Sequence, residues 1–253
     1  MRYMLTADTD IGICKTINQD SMCAMQADSR MGQTVMAVVC DGMGGLAKGE
    51  LASATVVRAF HHWFLRKFPY ELAVLDMDVI AEKWVLMLRE LNSKIKKYSK
   101  SLNMDMGTTF TGMLFVDDQY LIVHVGDSRV YRLGSKLEQL TEDHTFVARE
   151  VKRGTMTPEQ AETDSRRNIL LQCVGASNIV EPQVVHGKVK AGTYLICSDG
   201  FRHRITELEM MTAFNSDCLT DKDIMHTKTK QMIEAVKQRN EKDNISVILI
   251  KAE

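Results

Sequence analysis

Val35-Met36-Ala37-Val38-Val39-Cys40 runs straight into Asp41-Gly42-Met43-Gly44-Gly45. Six apolar residues that end at an acidic, glycine-rich turn read as a buried strand stopping at a carboxylate. The pattern recurs. Leu121-Ile122-Val123-His124-Val125 runs into Gly126-Asp127, and Tyr194-Leu195-Ile196-Cys197-Ser198 into Asp199-Gly200. A fourth strand, Ile245–Ile250, is preceded by Asp243-Asn244. Any one Asp-Gly pair is an ordinary turn, because both residues favour tight reversals. Four carboxylates at equivalent strand ends read instead as candidates for one shared cluster.

These four belong to a set of nine strand-like runs, Arg2–Ala7, Ser21–Ala27, Thr34–Cys40, Thr108–Val116, Tyr120–Val125, Arg129–Leu133, Val184–Val189, Thr193–Cys197 and Ile245–Lys251. Asp117-Asp118 and Gly134-Ser135 read as tight turns between neighbours. Two long helices interrupt the strands. One aligns Ala52, Val56, Ala59, Phe60, Trp63 and Phe64; the other aligns Ile80, Trp84, Met87, Leu88, Leu91, Ile95 and Tyr98. A weaker helix covers Lys222–Gln238. Many strands and few helices, without strict alternation, predict an α+β fold with helices packed on antiparallel sheets. With three prolines, no low-complexity linker and no repeat, one domain over residues 1–253 is expected.

Composition narrows the function. Lys and Arg number 32 against 33 Asp and Glu, a net charge of −1 that gives no electrostatic case for nucleic acid or an anionic membrane. Apolar runs such as Val35–Cys40 are far shorter than the roughly 20 residues of a spanning helix. The N-terminal stretch turns acidic too early for a secretory signal, so a cytoplasmic protein is expected. The six cysteines show no zinc-like CxxC pair; Cys40 and Cys197 end apolar runs and read as small buried hydrophobes. Gly42–Gly49 lacks the spacing of a phosphate-binding P-loop, and no GxGxxG follows a strand.

Clustered carboxylates raise one another's pKa and need compensating positive charge. With oxygen donors alone and neither His nor Cys at the turns, the matching ions are Mg²⁺ or Mn²⁺. Two such ions would share a water, lower its pKa and aim it at phosphorus.

The order of motifs carries the rest. Gly12-Ile13-Cys14-Lys15-Thr16-Ile17-Asn18-Gln19-Asp20, Asp41-Gly42-Met43-Gly44-Gly45 with Gly49-Glu50-Leu51-Ala52-Ser53, Gly107-Thr108-Thr109, Val125-Gly126-Asp127-Ser128-Arg129-Val130-Tyr131, Leu140-Thr141-Glu142-Asp143-His144-Thr145, Ser198-Asp199-Gly200 and Asp243-Asn244-Ile245-Ser246 follow one another along the chain. In that order they resemble the type 2C metal-dependent serine/threonine protein phosphatases, in their compact bacterial form. The resemblance implies a four-layer α-β-β-α sandwich with two antiparallel sheets and metals in a cleft at one end. It implies that Asp41 bridges two Mn²⁺ or Mg²⁺ ions, with the Gly42 carbonyl completing one site and Asp199 and Asp243 holding the other ion. Asp20 would reach the ions through bound water, and Asp127 with Asp199 would form a weaker third site. Residues 143–172, approximately, would be a flap beside the cleft. No phosphoenzyme is expected.

Departures from the family pattern bear on activity. Lys15 stands where the family usually has an arginine that grips the substrate phosphate; lysine keeps the charge and loses the bidentate fork. Read so, Lys15 implies weaker phosphate binding; the alternative is a surface lysine without that role. Met43 occupies the place of a histidine general acid in eukaryotic relatives, and a thioether donates no proton. His144 reads as a structural hydrogen-bonding residue rather than a donor to the leaving group. Thr163-Asp164-Ser165-Arg166-Arg167-Asn168 replaces a His-Pro usual in the flap. Phe201-Arg202-His203-Arg204 either draws anionic phosphopeptides or begins a solvated helix. The resemblance therefore implies a monomeric phosphatase acting on phosphoserine or phosphothreonine proteins and opposing a Ser/Thr kinase. The rival is a pseudophosphatase that keeps the fold as a phosphoprotein-binding module, a reading only Lys15 favours.

Overall fold

A computed structural model describes residues 1–43 and 48–253; Gly44 and Gly45 of the Asp-Gly-Met-Gly-Gly motif lie outside the described residues. The strands are β1 (Tyr3–Asp10), β2 (Ser21–Ser29), β3 (Gly32–Cys40), β4 (Phe110–Val116), β5 (Gln119–Val125), β6 (Arg129–Leu133), β7 (Leu137–Gln139), β8 (Gln183–Lys188), β9 (Gly192–Cys197) and β10 (Ile245–Ala252). The helices are α1 (Gly49–Arg66), α2 (Phe68–Glu71), α3 (Met77–Ser101), α4 (Phe146–Lys152), α5 (Pro158–Thr163), α6 (Asp199–Arg202), α7 (Glu207–Ala213) and α8 (Lys222–Gln238). Two five-stranded sheets form, in the orders β1-β10-β9-β6-β7 and β2-β3-β4-β5-β8, with antiparallel neighbours throughout.

The central strands are apolar along their whole length because both of their faces are buried. Successive side chains point to opposite faces, and β3 divides accordingly. Val35, Ala37 and Val39 enter the layer between the sheets with Met113, Phe115, Ile122, Tyr194, Ile196, Ile248 and Ile250. Met36, Val38 and Cys40 face α1 and α3, meeting Val56, Phe60, Trp63, Trp84 and Leu88. On the far side, Val247 and Leu249 of β10 face Phe201, Met210, Phe214, Met225 and Val236 from α6 to α8. Helix, sheet, sheet and helix thus enclose three apolar layers, which is the predicted four-layer sandwich.

The α1–α3 layer is aromatic. Phe60 meets Trp84 edge-on at 5.0 Å and Phe110 at 4.4 Å, and Trp63 meets Trp84 edge-on at 5.4 Å. Edge-to-face pairs of this kind contribute roughly 0.5–1.5 kcal/mol each beyond burial. Helix α3 begins where the Asp76 carboxylate accepts from the Asp78 and Val79 N–H groups, and α8 where Asp221 accepts from Ile224.

Several expectations need correction. Tyr98, assigned to the apolar stripe of α3, is half exposed in the last turn of that helix. The first strand lies at Tyr3–Asp10 rather than Arg2–Ala7, and the fourth opens at Phe110, with Thr108 forming only isolated bridges to Gly42 and Val174. The short elements β7, α2, α4, α5 and α7 are too brief to impose a period on the sequence, while α6 falls beside the expected helix start at Phe201. The helix at Lys222–Gln238 stands as expected.

Candidate active site

Strand register brings the predicted carboxylates to one end of the sandwich. Ser21 pairs with Cys40, so Asp20 and Asp41 leave β2 and β3 side by side. Phe110 pairs with Val125, which puts Gly126 and Asp127 at the same end of that sheet. In the other sheet, Cys197 pairs with both Val247 and Arg129, so Asp199, Asp243 and Asp127 share an end too. Asp127 sits where the chain crosses from one sheet to the other. Gly126 makes that crossing with φ near +113°, a backbone conformation that glycine adopts freely.

The motif residues around the carboxylates fix backbone. The Asp41 N–H donates to Thr109 Oγ1 at 2.9 Å, and the Asp41 carbonyl accepts from the Thr109 N–H at 2.8 Å and from Thr108 Oγ1 at 2.9 Å. The Gly42 N–H donates to the Gln19 carbonyl at 3.2 Å, and Ser53 Oγ donates to the same carbonyl at 2.6 Å. Asn244 holds the Lys15 loop: its Oδ1 accepts from the Gln19 N–H at 2.9 Å, and its Nδ2 donates to the carbonyls of Ile11 and Ile17. Thr108, Thr109 and Asn244 lay inside the quoted motifs without a role, and their side chains prove to be the fasteners of the site. The Met43 N–H donates to the Gly107 carbonyl, keeping that residue beside the same strand end.

Burial and mutual repulsion dominate the electrostatics. Asp20 is 7% exposed, neither of its oxygens has a hydrogen-bond partner, and Asp199 Oδ1 is likewise buried and unpartnered. Burial first, then the charges of Asp199 and Asp243, push the Asp20 carboxyl up to about 7, against the nearby hydroxyls of Ser246 and Ser198. Asp41 is pushed well above the usual carboxylate range by burial and then by Asp20, Asp199, Asp127 and Asp243, so five carboxylates share one field. Asp127 rises to about 7 through burial and Asp199, against the guanidinium of Arg202.

Lys15 reaches this cluster. Its Nζ stands 2.8 Å from Asp243 Oδ1. Burial works against its charge, but the bond to Asp243 and the fields of Asp243, Asp41 and Asp199 together raise its pKa.

Buried carboxylate oxygens without donors are costly unless a cation joins them. An all-oxygen set fits hard divalent ions. Among the described residues, no three His, Cys, Asp or Glu side chains are already gathered to hold an ion. The Lys15 ammonium already occupies one oxygen of Asp243.

Residues of the 143–172 segment border the Asp127 turn. Asp143 receives Arg129 in a two-pronged bond at 2.8 Å on each oxygen. The His144 N–H donates to the Gly126 carbonyl at 2.7 Å, while its Nδ1 accepts from the Gly126 N–H and lies 3.0 Å from Gln172 Nε2. His144 is thus a latch between this segment and the Asp127 turn, in keeping with a structural reading. Thr145 bridges to Leu170, and the Arg166 guanidinium, paired with Asp164, lies 4.3 Å from the centre of the Phe146 ring. Arg202 fits neither expectation for the Phe201–Arg204 stretch. Its side chain is only 13% exposed, turned inward between Asp127 and Asp143. His203 lies between Asp199 and Glu241, 3.8 Å from each.

Comparisons with known proteins establish the family and the fold. Residues 14–249 match the Protein phosphatase 2C family. The protein phosphatase PhpP of Streptococcus pneumoniae is 30% identical over 258 residues, spanning 96% of this chain and 94% of that protein. The S. agalactiae serine/threonine phosphatase superposes with a TM-score of 0.86 at 28% identity, and each chain is covered fully. The catalytic domain of the phosphatase PstP, solved with two manganese ions, gives a TM-score of 0.76 at 26% identity over 98% of this chain and 97% of that one. Fold, motif order and relatives converge: the chain belongs to the protein phosphatase 2C family of metal-dependent serine/threonine protein phosphatases.

Proposed function

We propose that this phosphatase hydrolyses phosphoserine and phosphothreonine esters in proteins at a pair of Mn²⁺ or Mg²⁺ ions, in opposition to a Ser/Thr kinase. The observation that carries the reading is the set of buried oxygens of Asp20 and of Asp199 Oδ1, unpartnered beside Asp41, a crowded negative field that divalent cations would relieve without protonating the carboxylates. Asp41, Asp199 and Asp243, the Gly42 carbonyl and, through water, Asp20 would hold the ions; Asp127 borders the same cluster. When bound, the pair supplies an activated water and offsets charge on the phosphoryl oxygens. PstP's manganese pair supports that count.

The chain's own residues do the remainder. Thr108 and Thr109 keep the Asp41 backbone in place, and Asn244 holds the loop that aims Lys15 at the cleft. Released from Asp243, the Lys15 ammonium is placed to meet a substrate phosphate as a point charge, without the fork of an arginine. Met43 donates no proton, so leaving-group protonation falls to water. The test is hydrolysis of a phosphothreonine peptide with Mn²⁺ by wild type and Asp199→Ala. Turnover confined to wild type supports the reading; equal turnover by a folded Asp199→Ala overturns it.

The Lys15–Asp243 ion pair favours a second reading, a phosphoprotein-binding module in which that pair stays closed. It predicts phosphopeptide binding without turnover at millimolar Mn²⁺.

A further inference from the structure

We propose that Arg202 is a built-in counter-ion for Asp127 that keeps a divalent cation off this side of the cluster, leaving the chain a two-ion enzyme. The inference rests on the metal-dependent reading above. Arg202 follows Asp199 by three residues on the single turn of α6, and its guanidinium reaches Asp127 and Asp143. Its Nη2 donates to the Asp127 carbonyl at 3.3 Å and stands 3.8 Å from Asp127 Oδ2 and 3.7 Å from Asp143 Oδ2. Asp143 already has Arg129 on both oxygens, so the charge left for Arg202 to offset is that of Asp127.

The side chain is nearly enclosed, and its Nε has no partner among the described residues. Arginine keeps its proton at any working pH. An ion on Asp127 would therefore sit beside a fixed like charge that cannot titrate away. Turned inward, the guanidinium is also poorly placed to serve as a surface attractor for phosphopeptides.

The experiment is calorimetric titration of the EDTA-dialysed full chain with Mn²⁺. Wild type is expected to take up two ions, and Asp127→Asn is expected to leave that number unchanged. Arg202→Gln gains a further ion, at least tenfold tighter than any third-ion binding by wild type, and Arg202→Gln with Asp127→Asn loses it again. Arg202→Lys, which keeps the charge, stays at two. A third ion on wild type that Asp127→Asn removes, or the same two ions on a folded Arg202→Gln, overturns the proposal alone. Wild type binding no Mn²⁺ overturns the metal reading and this proposal with it. Should Arg202→Gln not fold by circular dichroism, the Asp127→Asn comparison decides unaided.

Discussion

Replacing Asp20 by asparagine should stabilise the metal-free protein and weaken the metal-loaded one. The Asp20 carboxyl is raised from 3.8 to about 7 by burial and neighbouring charge. A folded-state value above the unfolded one means that the native chain holds more protons between pH 4 and 7, so stability falls as pH rises through that window. The difference between 3.8 and about 7, at about 1.4 kcal/mol for each tenfold in proton affinity, comes to about 4 kcal/mol. That is a ceiling, since Asp199 shares the field. In a chain of this size each kcal/mol moves Tm by roughly 2–4 °C. Melting in EDTA at pH 7.5 should therefore place Asp20→Asn several degrees above wild type, and the gap should close at pH 4. With saturating Mn²⁺ the order should reverse, because only wild type gains the full linkage of bound ions. An Asp20→Asn variant that melts at or below wild type in EDTA at pH 7.5 would refute the claim that Asp20 carries uncompensated charge.

Other outcomes follow from the same geometry. Lys15→Arg should lower KM for a phosphothreonine peptide by restoring a bidentate grip, and Lys15→Ala should raise it; KM unchanged in both would remove Lys15 from phosphate binding. At Gly200, an added Cβ would lie 2.1 Å from the Asn244 carbonyl oxygen. Gly200→Ala should therefore cost about 1–3 kcal/mol and Mn²⁺ affinity together, read by urea unfolding and calorimetry; an unchanged urea midpoint would contradict the close packing of α6 on the Asp243 turn. Phe60→Ala, which empties the centre of the α1–α3 aromatic layer, should cost about 3–5 kcal/mol while leaving the number of bound Mn²⁺ ions at the wild-type value.

The strands and the α+β class were legible because strands buried on both faces leave long apolar runs that end at aspartates; the four-layer sandwich came only with the resemblance that the motif order carries. Where that signal was strong, as in β3, β9 and β10, boundaries fell within a residue or two, and the weaker helical pattern at Lys222–Gln238 also gave the bounds of α8. The short helices were written in a different code. Thr157-Pro158-Glu159-Gln160 and Thr206-Glu207-Leu208-Glu209 are capping boxes that open α5 and α7, and a search for them would have found both. Convergence of Asp20 with Asp41 depends on strand register, which a single chain does not print. The inward turn of Arg202 was hidden for a related reason: an Arg-His-Arg run reads as solvated until the carboxylates behind it are located.

The most direct test of the account is the Mn²⁺ dependence of phosphothreonine-peptide hydrolysis by EDTA-dialysed wild-type protein at pH 7.5. The account predicts no turnover without metal and a saturable rise as Mn²⁺ is added back. Turnover that persists at full rate in excess EDTA, or none at millimolar Mn²⁺ in folded protein, would contradict it.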